Sequence, residues 1–450
     1  MRPNTFIYAA TLAASLLFNT PTLAQVATAE DDATYISTFS TLTRGMASAS
    51  MVWELHADTY AQSIALQAFL SAKINSPTDD ITTRDSIDFR TINNVDFSVS
   101  ATPTQLIFTV QSPQETFNAA IEHVAALFSS AGVDPNWLKR QTYAFRPFSA
   151  TRLRTPEMLE AELIRYANFT GNTPALTGDA LNSEILRSPN QIILNAQEYE
   201  FGETADILMN SFDPYEATLN DTPPAPVRAL PTGTIHLRDP DSTETLVFMG
   251  QVRDFETLTQ QAQTDTLFNY MGYGPGSEMF RIVRQERRAS YDPRSHFAQI
   301  GEKRAFTGLS ATVPSPIWPE IYDLIAKIYD DTRAGQNTDQ GLENSRNAML
   351  NGLIGDLRRE PDWLVKRYLE LYPSAPPDGQ IILGILDASF QMETSDLNVQ
   401  AADILPAPEN MITIIIGGEI TPSAKLQENG FCALEIGQPL AKCLDQLAAQ

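Results

Sequence analysis

The sequence has 450 residues, 43% of them hydrophobic and 19% charged, a globular composition in a chain long enough for two cores. Its 31 basic residues stand against 55 acidic ones, a net charge of −24. That balance argues against nucleic acid or an anionic membrane surface as partner, because both are gripped through basic patches.

Residues 1–24 carry an early Arg2, an apolar stretch from Phe6 to Phe18 and the small-residue exit Thr22-Leu23-Ala24. This order describes a secretory signal peptide cut after Ala24. The apolar stretch is short for a bilayer span, and nothing later is longer and equally apolar. The expected mature protein is soluble and periplasmic or otherwise exported. In an oxidising compartment the only two cysteines, Cys432 and Cys443, are expected to form a disulfide.

Along the mature chain, "SMVWELHAD" reads as a strand and "AQSIALQAFLSAKI" as the helix after it. "VDFSVSATPTQLIFTV" alternates around a turn, as a half-buried hairpin does. Phe117, Ile121, Val124 and Phe128 then mark one face of a helix, and "RSPNQIILNAQE" offers a closing strand. The proline-rich stretch 220–233, "NDTPPAPVRALPTG", disfavours both helix and central strand and reads as a linker. Beyond it come the strand "ETLVFMGQV", a helix striped by Ile321, Leu324, Ile325, Ile328 and Tyr329, and the strand in "PENMITIIIGGE".

The two halves resemble each other at an offset of 203 residues, with Ser112-Pro113 answering Ser315-Pro316 and Ala131-Gly132 answering Ala334-Gly335. The expected architecture is α+β: two homologous domains, 25–219 and 234–450, each a mostly antiparallel sheet covered by helices on one face.

Catalytic devices are scarce. The four histidines are far apart in sequence, so neither H-E-x-x-H nor H-x-x-E-H occurs. Glu122-His123 reads as a surface pair on a helix. There is no G-x-S-x-G elbow. "GYGPGS", starting at Gly272, follows a helical stretch and lacks the lysine of a phosphate loop, so a turn between helices fits it better.

One stretch remains, "FRIVRQERRASY" from Phe280 to Tyr291, with four arginines before a tyrosine. Arg281 and Arg287 read as solvating a helix whose Phe280, Ile282 and Val283 face a core. With its flanks, the stretch resembles the C-terminal domain of the pitrilysin and insulinase family of zinc peptidases, which includes the mitochondrial processing peptidases. Met279-Phe280 match the family's Leu-Phe pair, Arg284 its arginine and Tyr291 the tyrosine seven residues on. Arg288 stands where the family usually has glycine. The resemblance extends to the duplicated domain, the segment from Asp339 to Tyr372 and the final "ITIIIGGEI".

The resemblance implies the metallopeptidase-like, processing-peptidase type of fold. It also implies a loss. The family's H-x-x-E-H helix corresponds to "AQSIALQAFLSAKI", where the matching positions are Leu66, Phe69 and Leu70, and no acidic residue lies between Asp134 and Glu157 to serve as third ligand. Some family members divide the work between two chains, one bringing zinc and the other the arginine and tyrosine. On that precedent this chain binds no cofactor itself and pairs with a zinc-bearing homologous subunit. It contributes Arg284 and Tyr291 to binding a peptide or unfolded protein and to stabilising the oxyanion. Such a chain is inactive alone. The alternatives are a catalytically inert scaffold or peptide-binding pseudopeptidase, and an independent peptidase with an unrecognised metal site.

Overall fold

The computed structural model describes residues 35–39, 45–54, 60–101, 105–129, 132–144, 153–168, 189–196, 199–211, 228–301, 304–359 and 392–450. The expected signal peptide and most of the proline-rich linker lie outside the described residues. No helix among the described residues is long and apolar enough to cross a membrane.

The chain divides into two compact units. The first holds a five-stranded sheet built from β1 (Tyr35–Phe39), β2 (Met46–Glu54), β3 (Asp96–Ala101), β4 (Gln105–Pro113) and β5 (Gln191–Ala196) in the order β1-β5-β2-β4-β3. Its helices are α1 (Tyr60–Lys73), α2 (Thr83–Ile92), α3 (Phe117–Ser129), α4 (Pro135–Ala144) and α6 (Gly202–Ser211). Alternate residues of β2, Ala47, Ala49, Met51 and Trp53, point into one core with Leu66, Phe69 and Leu70 of α1 and Phe117, Ile121 and Val124 of α3. The period-two strand pattern and the helical stripe thus meet on one face of the sheet. Burying each of the larger of these side chains, such as Met51, Leu70 or Phe117, is worth about 2 kcal/mol.

The second unit's sheet contains β6 (Gly233–Arg238), β7 (Glu244–Asp254), β8 (Arg294–Gly301), β9 (Arg304–Pro314), β10 (Ile412–Gly417) and β11 (Phe431–Glu435), ordered β11-β6-β10-β7-β9-β8. Setting β11 aside, this is the first sheet's order again. β7 pairs antiparallel with β9 as β2 does with β4, β8 with β9 as β3 with β4, and β6 runs parallel to β10 as β1 does to β5. The duplication read from sequence is therefore a duplication of topology.

The sequence offset is corrected by two residues at the helices. The equivalent helices, α3 and α8 (Trp318–Arg333), start 201 residues apart. Ser112-Pro113 closes strand β4, whereas Ser315-Pro316 lies in the 3₁₀ turn after β9. A proline is tolerated equally at a strand end and at a helix start, so the shared dipeptide marks the junction without fixing its register.

Helices α7 (Leu258–Gly272), α8 and α10 (Thr394–Ile404) pack on one face of the second sheet, against Val247, Met249, Leu309 and Ile415. α9 (Asp339–Arg359) adds Leu342 to the same core. The opposite strand positions, Leu246, Phe248, Phe306, Ile412 and Ile414, meet a further layer. That layer consists of α5 (Pro156–Asn168), through Leu159, Leu163 and Tyr166, and α12 (Ala441–Ala448), through Leu444 and Leu447. Residues 148–170 thus join the second unit although they precede β5 of the first. Cys432 on β11 and Cys443 on α12 are joined by a disulfide with Cα atoms 5.6 Å apart, which ties α12 to the sheet; the short helix α11 (Ala424–Gln427) precedes β11.

Candidate functional site

The segment singled out in the sequence begins where α7 ends. Thr257 caps the N-terminus of α7, its side chain accepting from the Gln260 amide. The helix ends against β8: a Cβ on Gly272 would lie 2.2 Å from the Ser295 amide nitrogen, so only glycine permits this approach. Gly274, at φ 73°, turns the chain, and the Ser277 hydroxyl accepts from the Phe280 amide at 3.3 Å. "GYGPGS" is therefore a helix-to-helix turn, as its position after a helical stretch implies.

Phe280–Glu286 then form a π-helix, wider than the ordinary helix that the apolar spacing predicts. The Arg287 amide donates to the Ile282 carbonyl and the Ala289 amide to the Val283 carbonyl, each at 3.0 Å. Met279 and Val283 anchor the segment in the core. Arg288, between these closing bonds, has φ 53°. Its backbone is in the left-handed conformation that a helix-ending glycine usually takes. The glycine that the resemblance places here and the observed geometry agree; the side chain is what departs.

The arginines have separate tasks. Arg281 lies between Glu278 and Glu286, 2.5 Å from each, and the hydrogen bond that it donates to Glu278 raises its pKa above the usual arginine value. Arg287 pairs with Glu320 at 3.0 Å. Both are exposed, as the solvated-face reading requires. Arg284 is different. Its guanidinium sits 4.8 Å from the Phe280 ring centre, and Nη1 donates to the Tyr291 carbonyl oxygen at 2.8 Å. Ala289 and Ser290 are buried, and the Ser290 hydroxyl accepts from the Asp292 amide at 3.3 Å. Tyr291 is thus an exposed side chain, 88% accessible, on a backbone anchored on both sides and fastened by Arg284. The structure brings the two predicted residues together, with the guanidinium 5.9 Å from the tyrosine ring.

The helix face that would carry zinc is filled with hydrocarbon. Leu66, Phe69 and Leu70 are 3%, 3% and 0% exposed in the first unit's core. None has a donor atom, so these residues do not fit a zinc ion. Among the described residues no group of three or more His, Cys, Asp or Glu side chains could hold a metal ion.

Two histidines have partners that sequence reasoning missed. His123 stacks on Phe89, ring centres 4.4 Å apart, and its Nε2 lies 2.9 Å from the Ser86 hydroxyl, so it is packed between α2 and α3. Burial, and then Arg90, pushes its pKa below the usual histidine value. His296 on β8 places Nδ1 2.5 Å from Glu160 of α5 and Nε2 2.8 Å from Ser310 of β9. The chain of Ser, His and Glu has the connectivity of an acyl-transfer triad. Ser310 is 0% exposed and His296 5%, so no substrate reaches the hydroxyl, and the chain of bonds serves to pin α5 to the sheet. Contacts across so many intervening residues leave no local motif.

Residues 202–349 match the family described as the Peptidase M16 inactive domain. No curated protein matches the chain. Among solved structures, the peptidase M16 inactive domain from Pseudomonas fluorescens is 14% identical with a TM-score of 0.69, covering 89% of this chain and 99% of that one. Complex III2 from Candida albicans contains a chain 9% identical with a TM-score of 0.65, over 86% of this chain and 94% of that one. The periplasmic protease PqqL from Escherichia coli is 14% identical with a TM-score of 0.65, over 89% of this chain and 47% of its own, so this chain spans about half of that protein. These identities carry the fold and not the activity. Residues 202–349, which hold the Arg284 and Tyr291 segment, are a Peptidase M16 inactive domain, and the chain around them has the fold of M16 proteins, the peptidase family that its motifs resemble.

Proposed function

We propose that this chain is the zinc-free subunit of a two-chain, periplasmic metalloendopeptidase that cleaves peptides or partly unfolded proteins. The observation that carries the proposal is a pairing of opposites. The helix face that corresponds to the zinc motif is packed shut with Leu66, Phe69 and Leu70, while Tyr291 is held out to solvent on a backbone fixed by Arg284. A tyrosine kept only for packing would bury its ring.

In this role the Tyr291 hydroxyl donates to the scissile carbonyl oxygen as negative charge develops there, an interaction stronger in the transition state than in the ground state. Arg284 positions it, a task suited to a planar group that is always charged. The metal and its water belong to the partner, a homologue carrying H-x-x-E-H. The named relative PqqL is periplasmic, which agrees with the signal-like first residues.

The test is capture of the tagged chain with its native partner, followed by peptide hydrolysis with the reconstituted pair. Tyr291→Phe is expected to lower kcat by about 10²–10³, the usual loss for one oxyanion donor, while the pair still assembles. Full activity in that variant overturns the role of Tyr291. A native partner without H-x-x-E-H decides for the scaffold reading instead.

A further inference from the structure

Arg288 breaks a rule that the rest of the described chain keeps. Of the described residues with positive φ, six are glycine, one is Asn94, and the last is Arg288. Glycine takes that conformation freely and asparagine tolerates it; for other residues it costs roughly 1–2 kcal/mol. A residue held against such a cost marks a functional or strained site.

The charge of Arg288 is also unspent. Arg281, Arg287 and Arg294 each have a carboxylate partner, and Arg284 holds the Tyr291 carbonyl. Arg288 is exposed and has no partner among the described residues, in a chain with 55 acidic side chains. It stands three positions before Tyr291, so their Cα atoms lie within about 11 Å. An extended peptide covers that distance in about three residues.

Resting on the reading of Tyr291 given above, we propose that Arg288 is a specificity residue, a receptor for an acidic side chain of the peptide substrate two or three positions from the carbonyl that Tyr291 engages. The guanidinium fork matches a carboxylate, and the side chain is exposed where the helix ends.

The test uses fluorescein-labelled, unstructured peptides that differ only in Glu or Gln at one position, with binding to the full chain read by fluorescence anisotropy. The Glu peptide is expected to bind about tenfold more tightly, the worth of one charge-assisted hydrogen bond. Arg288→Gly is expected to erase that difference while leaving binding of the Gln peptide unchanged. Glycine suits the backbone, so the loss cannot be assigned to misfolding. Equal discrimination in Arg288→Gly, or no discrimination in the natural chain, overturns the specificity proposal and leaves the role of Tyr291 standing. Absence of binding by every peptide also overturns the specificity proposal, whereas the role of Tyr291 is decided separately by the kcat of Tyr291→Phe in the reconstituted pair.

Discussion

Arg288 is the residue at which structure and composition disagree most openly, and the disagreement can be measured. Removing the strain of a left-handed arginine outweighs the extra freedom that glycine gives the unfolded chain, so Arg288→Gly is expected to stabilise the protein by about 1 kcal/mol in denaturant titration. A loss of stability would mean that the arginine makes contacts that offset its conformation. Lys73 makes a second prediction at this scale. It is 1% exposed at the end of α1, its ammonium donates to the Gly132 carbonyl at 3.2 Å, and burial lowers its pKa to about 8. The unfolded chain, with the ordinary 10.5, then holds the proton more tightly, so Lys73 makes stability rise as pH goes from about 8 to 10.5. Comparing unfolding free energies across that range, Lys73→Met should flatten the rise; an unchanged slope would contradict the assignment. In the acid range His123 acts with the same sign. Its lowered value makes its contribution complete above the unfolded pKa of 6.5 and lost as pH falls through the lower folded value.

At the scale of elements, α5 has the most consequence. Leu163, Leu159 and Tyr166 complete the core on the second face of the sheet, and Glu160 reaches His296. Leu163 is 0% exposed, so Leu163→Ala should cost about 2–5 kcal/mol by equilibrium unfolding, through lost burial and the cavity left behind. A cost below 1 kcal/mol would show that α5 is not integral to the sheet. Much of the rest was legible in the sequence. Helices α3 and α8 announce themselves because one face of each stays outside the core, so apolar residues recur with a period near 3.6, and β3 alternates exposed and half-buried residues with period 2. β6 gave no such signal: all but the last of its residues are buried, and it starts at Gly233, directly after the prolines. β1 and β11 are only five residues each and join their sheets through parallel partners distant in sequence. In the sequence the π-helix is indistinguishable from an ordinary helix, since its apolar spacing over seven residues fits either. The Arg284 and Tyr291 pair was visible only through resemblance; nothing in composition says that a guanidinium will fasten the carbonyl seven residues on.

At the scale of the whole molecule, the duplicated topology makes the two units equivalent in fold and opposite in fate. In the first, Leu66, Phe69 and Leu70, the positions that the resemblance aligns with the zinc motif, are core; in the second, Tyr291 is exposed. The division of the chain also departs from its midpoint linker, since residues 148–170 belong with the second unit. A fragment of residues 226–450 should therefore expose Phe248, Phe306 and Ile414, bind a hydrophobic dye and unfold without cooperativity. Fusing residues 148–170 to it should restore a cooperative transition; cooperative unfolding of the bare fragment would contradict the assignment.

The account depends most on the claim that this chain presents a hydrogen-bond donor to a reaction whose metal is held elsewhere. Zinc content of the purified chain, measured beside its peptide hydrolysis with and without chelator, tests that claim most directly. The account predicts substoichiometric zinc and no hydrolysis by the chain alone. Stoichiometric zinc with chelator-sensitive cleavage by the solitary chain would contradict it.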